Sequence, residues 1–152
     1  IWYRTDLFEQ CGIDANWKTW DDYIARLATL KTCLADTDVA PMVHYFGQIE
    51  QPAAIFLGMY DGYLVNKDGK YALDREKAVA ALNKMQSLLE YNPADVLGLT
   101  IDPGNAVFLN GKAATMVGWP SFIRAAADDP DAVGGSGLQR VGVVGEAVVG
   151  VW

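Results

Sequence analysis

The sequence predicts an α/β fold. Apolar residues recur at helical spacing over residues 20–34 and 75–90, and short apolar runs of strand length stand apart from them at 39–46, 113–117 and 140–144. Helices that alternate with single strands define this class. The stretch Phe108 to Pro120, FLNGKAATMVGWP, shows the alternation most compactly. Phe108 and Leu109 close an apolar helical face, and Gly111 supplies the left-handed residue that ends a helix without a Cβ penalty. Ala113 to Val117 is a small-residue and β-branched run of strand length. Trp119 and Pro120 then emerge where the strand leaves the sheet, and in open α/β sheets ligands sit outside strand ends.

The elements follow in order. Thr5-Asp6 starts a short helix, Leu7 to Cys11, that Gly12 terminates. Thr19 is an N-cap with Asp22 three residues on, a shortened capping box. Trp20, Tyr23, Ile24, Leu27, Leu30 and Leu34 then form one inward stripe. Val39 to Phe46 reads as a strand with Pro41 near its start, where a missing N–H matters least. Gly47 to Pro52 reads as a polar loop and Ala53 to Tyr60 as a short apolar helix. Asp61-Gly62 turns the chain into a hairpin, Tyr63–Asn66 and Lys70–Leu73, closed by Asp68-Gly69. Asp74 caps the longest helix, Arg75 to Glu90, with Ala78, Val79, Leu82, Met85, Leu88 and Leu89 facing inward and Asn92-Pro93 ending it. Asp102-Pro103 reads as N-cap and first helical residue of the next helix. Ser121 caps a helix over 122–127, residues 128–139 are loop-like, and Arg140 to Val144 is a last strand.

Composition bounds the function. Of 152 residues, 51% are hydrophobic and 20% charged, enough apolar material for one globular core. Twelve Lys and Arg against 19 Asp and Glu give a net charge of −7. That argues against nucleic acid, whose phosphates need clustered cations, and against an anionic membrane surface. No apolar run approaches the ~20 residues of a spanning helix, so this segment inserts in no membrane. The abrupt start at Ile1-Trp2-Tyr3 and the apolar end at Val148–Trp152 suggest a piece of something longer.

Catalytic chemistry finds no support. His44 is the single histidine and lies in a strand pattern, where packing is the plainer role. There is no Gly-x-Ser-x-Gly, no His-Glu-x-x-His and no phosphate-cradling loop; Gly134-Gly135-Ser136-Gly137 lacks the following Lys. Asp61, Asn66 and Asp68 lack the spacing and terminal Glu of a calcium loop. Cys11 and Cys33 have no histidine neighbour for zinc. They read as two buried thiols, or as a disulfide if the protein is exported. No metal and no cofactor is expected.

The ordered motifs resemble those of the solute-binding proteins of bacterial carbohydrate ABC transporters. Trp2 to Ile13, WYRTDLFEQCGI, is similar to the family's Tyr-Tyr-(Arg/Asn)-x-Asp-Leu-Phe-x-x-x-Gly-(Leu/Ile) segment. Lys18 to Tyr23 resembles its Lys-Thr-Trp-Asp-Glu-(Leu/Tyr) helix start. Asp61-Gly62 and Asp68-Gly69-Lys70, with the helix over Glu76 to Leu82, resemble its Gly-rich hairpin and following helix. Phe108-Leu109-Asn110-Gly111-Lys112-Ala113-Ala114 resembles Phe-x-x-Gly-Lys-Ala-Ala-Met, with Trp119-Pro120 as the aromatic after it. The sequence departs from the pattern at Asn16-Trp17, Thr115, Gly118-Trp119 and Gly145-Glu146-Ala147.

The resemblance implies one lobe of a two-lobed periplasmic-binding-protein-like fold, helix-rich with a small mixed sheet. Residues 1–152 would be most of the second lobe, without the first lobe and the terminal helices. It implies capture of a sugar in an interlobe cleft, without chemistry, and delivery to ABC permease subunits. Periplasmic or extracellular location follows, with a lipid anchor at an N-terminus outside this sequence, and a monomeric state. By chemistry alone Trp119 is a core-capping aromatic; the resemblance makes it a platform for a pyranose face. It also makes Gln48, Glu50 and Gln51 polar contacts, because amides and carboxylates bond neighbouring hydroxyls. Tyr45, Tyr60 and Asp61 complete the expected ligand set. A glycan-active hydrolase, an accessory carbohydrate-binding module and a binder of non-sugar solutes are the alternatives.

Overall fold

The computed structural model describes residues 1–48, 50–119 and 141–143. Strand β1 (Trp2–Arg4) leads directly into α1 (Thr5–Gln10), followed by α2 (Trp20–Cys33) and β2 (Ala40–Val43). Helices α3 (Glu50–Met59), α4 (Arg75–Ser87) and α5 (Ile101–Leu109) precede β3 (Ala113–Met116), and β4 (Val141–Val143) comes last. Two 3-10 turns, Leu88–Tyr91 and Val96–Gly98, link α4 to α5. Among the described residues four strands form one mixed sheet in the order β2-β3-β1-β4. β2 and β3 run parallel, with Met42 opposite Thr115 and Val43 opposite Met116. β1 runs antiparallel to β3 and to β4.

Register sorts side chains between the faces, because successive residues of a strand point oppositely. Trp2 and Val43 both pair with Met116, and this face packs with Tyr45, Val96, Leu99 and Phe108 under α5. Tyr3 and Met42 both pair with Thr115. Met42 packs with Tyr23, Leu27 and Leu30 of α2 and with Phe8, Trp17 and Leu88, with Tyr3 against the edge of this cluster. The predicted stripe of α2 is thus the core face, and its start is the predicted capping box. Thr19 Oγ1 accepts from the Asp22 N–H at 3.1 Å, and Asp22 accepts in return from the Thr19 N–H at 3.1 Å. Gly111 ends α5 with φ +75°, the conformation that favours glycine.

Thr115 sits at the centre with no exposed surface. Its hydroxyl donates to the Pro41 carbonyl at 2.9 Å, so at 2.6 Å the Tyr23 hydroxyl donates to Thr115. Burial pushes the Tyr23 phenol well above its ordinary range, and it stays neutral. A threonine inside an apolar sheet is tolerated because each hydroxyl has a partner.

Cys11 and Cys33 form a disulfide across Cα atoms 5.8 Å apart, so the disulfide alternative holds and the free-thiol reading does not. The bridge joins the end of α1 to the end of α2.

Several elements differ from expectation. β2 stops at Val43 rather than at Phe46, because the next amide, His44 N–H, turns to the Asn92 side chain at 3.1 Å. α3 begins at Glu50, not Ala53, since Pro52 falls in its first turn, where no intrahelical donor is needed. α5 begins at Ile101 behind Thr100, so Asp102 and Pro103 lie inside its first turn. The hairpin pairs only through Val65 and Tyr71, with Asn66 Oδ1 accepting from the Asp68 and Lys70 amides at 3.0 Å each. On α4 the buried face is Ala78 and Ala81, while Val79 and Leu82 are about half exposed. Small alanines let α4 approach Tyr60, which displaces the larger residues outward. The helix predicted over 122–127 and the loop over 128–139 lie outside the described residues.

Two stability measurements check this core. Replacing both cysteines by serine should cost about 3 kcal/mol, the chain-entropy value for a loop of this length, read as a lowered urea midpoint that reductant reproduces in the parent protein. Thr115→Val should cost about 1–3 kcal/mol by leaving the Tyr23 hydroxyl and the Pro41 carbonyl unpartnered; a loss near zero would show that water enters there.

Candidate functional site

The parallel strands β2 and β3 end side by side, at Val43 and Met116. Beyond them the two chains stay joined by three hydrogen bonds of different kinds. The Val117 N–H donates to the Val43 carbonyl at 3.3 Å. The His44 ring nitrogen Nδ1 lies 2.6 Å from the Val117 carbonyl. The Trp119 N–H donates to the Tyr45 hydroxyl at 3.2 Å. The result is a Trp119 whose backbone is anchored and whose residue surface is 47% exposed. That exposure argues against the core-capping role that chemistry alone assigned to it.

Tyr45 itself is fully buried. It lies so close under Gly118 that a Cβ there would stand 2.4 Å from the Tyr45 hydroxyl oxygen. Glycine at 118 is therefore a steric requirement of the Trp119 anchor. Burial raises the Tyr45 phenol above its ordinary range, opposed by the Trp119 amide. Tyr45 was expected to contact ligand; with no accessible surface it instead supports the residue that does present one.

The start of α3 brings the polar residues. Gln48 and Glu50 are paired, the amide Nε2 donating to Oε1 at 2.6 Å in the open. Gln51 is buried, and its Nε2 has no hydrogen-bond partner. Gly47 joins this segment to the 3-10 turn at Val96–Gly98, its N–H donating to the Leu99 carbonyl at 2.9 Å.

Tyr60 and Asp61 are not part of this group. They follow the far end of α3, about 14 Å of helix rise from Glu50. Tyr60 is buried, stacked on Phe56, and its hydroxyl accepts from the Asp74 N–H at 2.8 Å at the start of α4. Asp61 is exposed beside an open depression of about 610 Å³ that Tyr63, Asn66, Lys67 and Lys77 also line.

The strand pattern marks His44 as packing, and the structure adds polar contacts to that role. His44 is 1% exposed, between Tyr45 and Phe46 rings whose centroids each lie 5.1 Å away. Its N–H donates to Asn92 Oδ1, and Asn92 is held in turn by donating from Nδ2 to the Leu88 carbonyl at 2.8 Å. Burial holds the imidazole below its ordinary pKa, against the backbone of Val117 and Gln51 beside it. The Asn-Pro signal marked Asn92 only as a helix stop, and no local pattern links it to His44. Among the described residues no cluster of His, Cys, Asp or Glu could hold a metal.

Residues 1–143 match the family of bacterial extracellular solute-binding proteins, and the chain belongs to that family. A xylose/arabinose-binding protein, XacG of Haloferax volcanii, is 30% identical over 125 residues, which cover 76% of this chain and 26% of that protein. The maltose-bound MalE3 of T. maritima is 26% identical with a TM-score of 0.67, over 78% of this chain and 31% of its own. An ABC transporter solute-binding protein of Agrobacterium radiobacter K84, in complex with ribitol, shares the fold at a TM-score of 0.72 and 22% identity, over 86% of this chain and 33% of its own. This chain therefore spans a third or less of these relatives. The α/β class and the periplasmic-binding-protein-like architecture agree with the expectation. Among the described residues no helix is long and apolar enough to cross a membrane.

The single histidine sets a pH dependence. Below its ordinary value of 6.5, the unfolded chain takes up a proton that buried His44 resists. Stability should therefore be flat above about pH 6.5 and fall as pH drops below it, before the carboxylates contribute. Urea midpoints between pH 7.5 and 5 measure this, and His44→Asn should remove the drop.

Proposed function

We propose that residues 1–152 form most of the second lobe of a two-lobed protein that captures a sugar and delivers it to ABC permease subunits. The observation that carries this reading is the half-exposed Trp119, fixed by its own amide at the ends of two parallel strands. A pyranose presents a C–H face to such a ring, and the indole N–H reaches a hydroxyl. Gln48 and Glu50 supply amide and carboxylate groups for neighbouring hydroxyls, and Gln51 follows them in the first turn of α3 with its amide nitrogen buried. Tyr60 and Asp61 lie too far along α3 to join one monosaccharide with this group.

Capture proceeds without bond making. Closure of the two lobes by a hinge removes water from the sugar, and the closed form docks on the permease. Family membership supports capture over hydrolysis, and the sugar ligands of its relatives favour carbohydrate over other solutes. The disulfide suits an oxidising periplasmic or extracellular location, with a lipid anchor outside this sequence and a monomeric state. The isolated lobe should bind at millimolar strength or not at all, because one face of the sugar stays in water.

The test is a thermal-shift and intrinsic-fluorescence screen of the full-length protein against xylose, arabinose, maltose, laminaribiose and ribitol. A binding sugar raises the melting temperature by mass action, and Trp119→Ala should weaken it by about tenfold, roughly 1.4 kcal/mol. Undiminished binding in Trp119→Ala would remove Trp119 from the site. No response to any sugar would turn the reading to non-sugar solutes, and turnover of a chromogenic glycoside would turn it to hydrolysis.

A further inference from the structure

We infer that His44 is the positioning residue of the Trp119 platform, acting through the Val117 carbonyl in its Nδ1-protonated neutral form. The inference rests on the reading of Trp119 as the surface that meets the sugar. Three facts lead to it. The Val117 carbonyl can only accept, so the 2.6 Å contact requires the proton on His44 Nδ1. Nε2 is then a bare lone pair, and it is buried without a hydrogen-bond partner. Finally, the ring is clamped from its own backbone by Asn92 and flanked by two aromatic rings, so its Nδ1 has one direction to point.

The consequence falls on residues 117–119. Beyond Met116 the sheet ladder has ended, and a glycine at 118 gives the chain wide freedom. The Val117 amide and carbonyl are both taken, by Val43 and by His44, and the next anchor is the Trp119 amide on Tyr45. Removing the central contact leaves Gly118 free to rotate between two remaining anchors, and the Trp119 ring turns with it. Preorganisation of this kind raises affinity by cutting the ordering cost of binding.

The test uses full-length protein labelled with 5-fluorotryptophan, its Trp119 fluorine line assigned by loss in Trp119→Phe. Asparagine at 44 places an amide N–H where Nδ1 stands, whereas glutamine carries its amide one atom further out. His44→Asn should keep a single narrow Trp119 line and hold sugar affinity within about threefold. His44→Gln should broaden or split the line and lose about tenfold in affinity. A Trp119 line unchanged in His44→Gln, or equally disturbed in both variants, would overturn the inference. The unmodified side chain gives a second reading that no folding defect can obscure. Nitrogen-15 histidine spectra at pH 7.5 should show the proton on Nδ1, and a proton on Nε2 would overturn the inference equally. If no sugar binds the parent protein, the sugar reading fails, while the sugar-free fluorine and nitrogen spectra still decide the positioning role.

Discussion

The parallel pairing of Ala40–Val43 with Ala113–Met116 is the constraint on which the rest depends. The two strands lie 73 residues apart in register, Ala40 opposite Ala113, so their meeting must enclose everything between them. α2 covers one face and α5 the other, each contributing the apolar stripe the sheet needs. Parallel sheets demand this cover on both sides, and the small Ala113 and Ala114 leave room for it. The one polar residue in β3, Thr115, ties three elements at once: its own strand, β2 through Pro41 and α2 through Tyr23. Proline at 41 is compatible because β2 is the edge of the described sheet and only its carbonyl is used.

The candidate site inherits its order from that pairing. Where the backbone ladder stops, side chains from the β2 segment extend it: His44 and Tyr45 each hold one residue of the chain leaving β3. Such bonds are stronger away from water and costly to leave unmade, so a buried imidazole and a buried phenol serve better here than exposed polar groups. The exposed part is correspondingly small. Trp119 is half exposed and the Gln48–Glu50 pair is open to solvent, while His44 and Tyr45 are buried. A candidate site built this way offers an aromatic surface and a few polar groups, the balance that small polar ligands with apolar faces require.

Much of the secondary structure was legible because its causes are local. Thr19 and Asp22 are three residues apart, the α2 stripe repeats within 15 residues, and Gly111 follows directly on its helix. The misjudged elements failed where a local sign had two meanings. Pro52 reads equally as a loop residue or a first-turn residue, and only the start of α3 at Glu50 separates the two. Val79 and Leu82 read as core by spacing, yet alanines face inward because α4 packs closely on Tyr60. Among the expected site residues, Trp119, Gln48 and Glu50 offer exposed or half-exposed surface. Tyr45 and Gln51 are buried beside them, and Tyr60 and Asp61 belong to the other end of a helix.

By itself the sequence determined the class, the helices with their caps, the acidic charge and the family resemblance, all of which depend on neighbours in the chain or on ordered motifs. Only the tertiary structure decided which residues share a site. His44 meets Val117 across 73 residues and Tyr45 meets Trp119 across 74. Cys11 finds Cys33 only once α1 has packed beside α2. A contact between distant residues leaves no periodicity in one sequence, because its geometry is set by the packing of every element enclosed between them.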